Sequence, residues 1–158
     1  MSHIVVHPRI LMVDNDKRAI EALTALLSKA LPNAYVADDV TDGTKALSLC
    51  RAYGNQYDII LLDMSLEGLQ GPDICKRIRL INNSTPILAM TSFSLNRYRN
   101  SAIESGAQGL VDKSSSEQFT QCIPRIVRGQ TMDGFETPLV AHIQLKNRSA
   151  LKPTLTVT

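Results

Sequence analysis

Short apolar runs that do not alternate with polar residues recur along this chain, and stretches of helical spacing separate them. RILMV (9–13), AYVAD (34–38), DIILL (58–62), TPILAM (85–90) and GLVD (109–112) read as strands. Between them, KRAIEALTALLSKAL (17–31) places Ile20, Leu23, Leu27 and Leu31 on one face, which is helix spacing. DGTKALSLCRAY (42–53), GPDICKRIRLI (71–81), SLNRYRNSAIESG (94–106) and SSEQFTQCIPRIVRG (115–129) supply four more helices. Pro72 falls in a first turn, where proline is tolerated, and Gly106 ends its helix. Pro124 lies inside the last helix, where a missing N–H predicts a kink.

Strands with no polar face must be covered on both sides, and strand–helix alternation implies parallel crossovers. These crossovers are right-handed, which leaves few topologies. The expectation is an α/β, flavodoxin-like, doubly wound five-stranded parallel sheet of order 2-1-3-4-5. Residues 1–130 form that domain, and 131–158 form a C-terminal extension or linker. Within the extension PLVAHIQLK (138–146) suits one short helix, and the last ten residues resemble a linker.

In such sheets ligands bind beyond the carboxyl ends of the strands. The first strand ends on Asp14-Asn15-Asp16, the third on Asp63, the fourth on Thr91-Ser92 and the fifth on Asp112-Lys113. Each has an ordinary role open to it: Asp14 or Asp16 as a helix cap, Asp63 as a turn acid, Thr91 as a cap, Lys113 as a solvated lysine. Their coincidence at equivalent strand ends points to shared chemistry. Grouped carboxylates call for a hard cation, and Mg²⁺ is held by one or two carboxylates plus water and a phosphate oxygen. A carboxylate can also be a nucleophile toward phosphorus, and phosphoryl transfer depends on positioning and charge neutralisation.

Other classes fit less well. A net charge of +2, 4% aromatics and no Trp argue against a nucleic-acid-binding surface. Cys50, Cys75 and Cys122 show no metal or disulfide spacing and suit a reducing compartment. No apolar stretch approaches a membrane span, and the N-terminus lacks signal-peptide features, so a cytoplasmic protein without membrane contact is expected.

ILMVDND, DIILLDMSLEGLQG, PILAMTS and GAQGLVDKS, in this order, resemble a response-regulator receiver domain, the phosphoacceptor half of two-component signalling. The resemblance spans residues 9 to 129. It implies that Asp63 accepts the phosphoryl group. Asp14, Asn15, Asp63 and the backbone carbonyl of Ser65 would hold Mg²⁺, Thr91 would be the switch hydroxyl, and Lys113 would contact the phosphoryl group. The implied partner is a sensor histidine kinase, and the chain is a switch rather than an enzyme. Residues 115–130 are similar to the last receiver helix of the NarL/FixJ (LuxR-type) group, in which a DNA-binding domain follows. DNA contact is therefore expected only through an output domain outside these 158 residues, which would carry the transcriptional output.

Four positions depart from the family pattern. Asn15 replaces a second acid, which predicts weaker metal binding. Glu67 and Ser114 stand where the family often has proline, and Leu110 replaces the switch aromatic. These departures support an alternative, a receiver-like interaction module that works without phosphate. A metal-dependent phosphohydrolase would need an acid where Ser65 stands, and a flavodoxin would need a different first loop. A polar face comprising Arg97, Arg99, Glu104, Gln108, Glu117 and Gln118 is the expected regulated surface, and a homodimer through it is one of its outlets.

Overall fold

The computed structural model describes residues 7–66 and 70–151. Strands β1 (Arg9–Val13), β2 (Tyr35–Val40), β3 (Ile59–Asp63), β4 (Ile87–Thr91) and β5 (Gly109–Asp112) form one sheet in the order β2-β1-β3-β4-β5. All four pairings are parallel, as the strand–helix alternation requires. The helices are α1 (Lys17–Ala30), α2 (Gly43–Tyr53), α3 (Gly71–Ile81), α4 (Leu95–Glu104), α5 (Ser116–Val127) and α6 (Pro138–Leu151). A single 3-10 turn, Gly54–Gln56, follows α2.

The unalternating strands are explained by two cores. Leu11, Val13, Ile60, Leu62, Ile87 and Ala89 face α2, α3 and α4, where Ala46, Ile74, Ile78 and Ala102 meet them. Ile10, Met12, Ile59, Leu61, Leu88, Met90 and Val111 face the opposite way, onto Ile20, Leu23 and Leu27 of α1 and Phe119, Ile123 and Ile126 of α5. Successive strand residues point to opposite faces, so burial on both sides demands an apolar residue at every position. β2 is the exception. It lies at the sheet edge, is mostly exposed, and tolerates Asp38 and Asp39.

Asp16 caps α1, its carboxylate accepting from Arg18 N at 2.9 Å, and Ser115 caps α5. Gly106, at φ +99°, terminates α4 in the left-handed region. Pro124 lies inside α5, as the sequence spacing places it, and the helix runs on to Val127. α6 is longer than the 138–146 reading, because residues beyond Lys146 continue the helix to Leu151. The linker expected over the last residues lies mostly outside the described ones, as does Glu67.

Gln108, expected on the polar surface, is instead fully buried. It answers Arg79, also fully buried. Arg79 donates to Gly106 O at 3.0 Å, Asn82 O at 3.0 Å, Thr85 O at 2.9 Å and Gln108 Oε1 at 2.8 Å. One guanidinium thus ties together the chain just after α3 and the chain just after α4, satisfying loop carbonyls that burial would otherwise leave without donors. Burial lowers its pKa to about 10.

Candidate functional site

The carboxyl ends of β1, β3, β4 and β5 bring the expected residues to one rim. Asp63 is the last residue of β3 and only 2% exposed. Its Oδ1 accepts from both Ser65 N, at 3.0 Å, and Ser65 Oγ, at 2.9 Å. This double contact fixes the carboxylate and turns Oδ2 toward β5. There Lys113 Nζ stands 3.6 Å away, on a side chain only 14% exposed. The same ammonium is in direct ion-pair contact with Asp14 Oδ2.

Asp14 is 1% exposed. Its backbone N–H donates to Val40 O, and its Oδ1 accepts from Asp16 N at 2.9 Å. Among the described residues, Lys113 is the cation that answers the charge on Oδ2. A buried carboxylate oxygen is costly unless a cation is near. Asn15, next along the chain, is half-buried at the same rim.

Thr91 is fully buried at the end of β4. Its Oγ1 accepts from Phe93 N at 3.0 Å, so it organises the start of the β4–α4 loop. Its carbonyl accepts from Lys113 N at 2.9 Å, which joins the hydroxyl strand to the lysine strand. Asp112 accepts from Ser114 N and Oγ, at 2.9 and 2.7 Å. Those bonds hold its carboxyl below the usual range and shape the turn that carries Lys113 inward. Ser114 therefore does through its side chain what a turn residue must do at this corner.

One contributor was not apparent from sequence. Gly71 opens α3 against the end of β3, and a Cβ there would strike the Asp63 carbonyl oxygen and Met64 Cα. A glycine just inside a helix that follows a strand-end loop was the available signal. Leu110, in the position of the missing aromatic, is packed in the core beneath α4.

Among the described residues no three His, Cys, Asp or Glu side chains form a protein metal cage. The residues present fit a different pattern, a hard divalent cation held by the two buried carboxylates with water completing its shell. Asp14 Oδ2 is buried and faces the Lys113 ammonium, so a bound cation would share this oxygen with the lysine.

An open parallel sheet with paired acids, a hydroxyl and a lysine at its carboxyl edge defines a phosphoryl-handling switch module. The chain belongs to the response regulator receiver domain family, which it matches over residues 10–123. It is 33% identical over 105 residues to the regulatory protein VanRB of Enterococcus faecalis, covering 66% of this chain and 45% of that protein. It is 30% identical over 118 residues to the transcriptional regulatory protein CusR of Escherichia coli, covering 75% of this chain and 49% of that protein. The chain thus spans about half the length of these relatives. A LuxR-family two-component response regulator from Aurantimonas superposes with a TM-score of 0.72 at 26% identity, covering 91% of this chain and 98% of that one. The receiver domain of the histidine kinase CKI1 from Arabidopsis thaliana, complexed with Mg²⁺ and BeF₃⁻, shares the fold at a TM-score of 0.66 and 22% identity, covering 76% of this chain and 89% of that one. Receiver domains are signalling modules rather than enzymes in the ordinary sense. Among the described residues no helix is long and apolar enough to cross a membrane.

Proposed function

We propose that the chain accepts a phosphoryl group on Asp63 from a sensor histidine kinase and uses the change in charge to alter an interaction surface. The observation that carries this reading is the setting of Asp63. Its Oδ1 is pinned by Ser65, and its Oδ2 faces the Lys113 ammonium 3.6 Å away. An Asp63 oxygen forms the new bond to phosphorus, and the bond from phosphorus to the donor's imidazole nitrogen breaks. The nitrogen keeps that electron pair. Lys113 then shifts its charge toward the phosphoryl oxygens, and Thr91 donates its hydroxyl to one of them. Asp14, Asn15, Asp63 and the Ser65 carbonyl hold Mg²⁺, which neutralises phosphoryl charge when bound.

The chain is not an enzyme in this reading, since the acid needed for rapid hydrolysis is absent at Ser65. DNA is reached only through an output domain beyond the receiver, as in transcriptional regulators of this family, and there is no membrane contact. All three cysteines are free, which suits the cytoplasm. Residues 1–130 act as the phosphoacceptor unit and 131–158 as the extension from it.

Incubation with acetyl phosphate and Mg²⁺ tests the assignment. The expected product is a hydroxylamine-labile phosphoprotein whose label maps to Asp63 and is lost in Asp63→Asn. Asn15 and the buried Leu110 favour a second reading, a module that binds partners without phosphate. No labelling at millimolar Mg²⁺, with Asp63→Asn matching wild type in partner binding, would establish that second reading instead.

A further inference from the structure

Much of the face expected to carry the output is already occupied by the chain's own extension. After Gly129, at φ +97°, the backbone turns back along the outer edge of β5. Met132 N donates to Gln108 O at 3.0 Å, and Met132 Sδ accepts from Leu110 N at 3.3 Å. Gln108 Nε2 reaches Glu136 O at 3.0 Å. Phe135 inserts into the core beneath α4, and the Arg99 guanidinium lies over its ring, 5.3 Å from the centroid. Arg99 also donates to Asp133 O at 2.8 Å. Further along, Arg148 donates to Glu104 O at 3.3 Å, and α6 packs on α3 through buried Ala141 and Leu145.

Arg99 and Glu104, two members of the expected polar face, and the buried Gln108 therefore answer residues 131–148 rather than an outside partner. We infer that this segment is an autoinhibitory strap, with residues 132–136 across β5 and α4 and α6 anchored on α3, loosened when Asp63 is loaded. The inference rests on the phosphoacceptor reading. The lever is α4. Its one buried residue is Ala102, and Ser94 gives it no side-chain cap. Its N-terminal approach hangs on the Phe93 N–H bond to Thr91 Oγ1, and its C-terminal half is held by the strap. A group at Asp63 that recruits the Thr91 hydroxyl shifts the approach to α4. The strap's hydrogen bonds to α4, from Arg99 to Asp133 O and from Arg148 to Glu104 O, then give way, and Phe135 is drawn from its place beneath α4. Because coupling between sites is reciprocal, loosening the strap must favour loading by the same factor.

Amide hydrogen exchange on the full chain, with and without Mg²⁺ and beryllofluoride, tests this. Loading should slow exchange around residues 63–66 and 91–93 and speed it at least fivefold across 131–148. Arg99→Ala and Arg148→Ala, both surface changes that leave the fold intact by circular dichroism, should each raise beryllofluoride affinity two- to fivefold. Loading seen at 63–66 with exchange across 131–148 unchanged overturns the strap alone. No loading signature anywhere sinks the phosphoacceptor reading and the strap with it.

Discussion

Lys113 Nζ lies 3.6 Å from Asp63 Oδ2 although β4 separates their strands in the sheet. The lysine reaches across the end of β4 because Asp112 and Ser114 turn the chain inward there. It meets two carboxylates, Asp14 and Asp63, that water scarcely touches. Without it, two negative groups would face each other in a poorly solvated rim.

Lys113→Met should therefore destabilise the metal-free protein by about 3 kcal/mol, the scale for breaking a buried ion pair by removing one partner. Added Mg²⁺ should recover more stability in the variant than in wild type, since a cation then replaces the ammonium. Urea unfolding with and without Mg²⁺ reads both effects. Equal Mg²⁺ stabilisation of the two proteins would show that the ammonium and the metal do not share these carboxylates.

Asn15→Asp adds a carboxylate beside Asp14. Metal-free stability should fall through repulsion, while Mg²⁺ affinity should rise about tenfold as ligand charge increases. Isothermal calorimetry suits this measurement, because the chain contains no Trp to report binding. An unchanged affinity would place residue 15 outside the metal's reach.

Gly71→Ala forces a methyl group against the backbone of Asp63 and Met64. Overpacking of this kind costs about 1–3 kcal/mol. The specific expectation is a slower rate of acetyl phosphate labelling, measured under conditions where the variant is fully folded. Lost stability with an unaltered labelling rate would mean that the strand end yields without moving the carboxylate.

Burial pushes the Cys75 thiol from 9.0 up to about 11 and the Cys50 thiol up to about 12. Both groups favour the protonated form in the fold. Their stabilisation is complete below pH 9 and is lost as pH rises toward 11, because the unfolded chain releases its thiol protons first. Urea midpoints between pH 8 and 10 should fall, by at most about 1.4 kcal/mol per pH unit for each thiol. Cys75→Ala should show a shallower decline from a lower starting stability. A slope identical to wild type would remove Cys75 from the account.

The strands and the acidic rim were legible because both depend on local rules, while the strand order followed from the arrangement common to doubly wound five-stranded sheets. An apolar run without alternation declares a doubly covered strand, and the residue just past its end must lie at the rim. Asp14, Asp63, Thr91 and Lys113 followed from that logic, and the coordinates bring the two acids and the lysine into contact range. Gln108 was misplaced for the converse reason. A glutamine before a strand reads as polar surface unless its partner is known, and Arg79 lies 29 residues away in the chain.

What the sequence determined alone was the set of elements, their parallel arrangement and the residues at each strand end, since periodicity and burial act over a few neighbouring positions. Tertiary structure decided the rest. It buried Arg79 among four neutral oxygens, pressed Gly71 onto the β3 end, laid residues 132–136 over β5 and α4, and packed α6 on α3. Each depends on groups far apart in the chain meeting at hydrogen-bond or van der Waals distance, and no local pattern encodes which distant partner will be there.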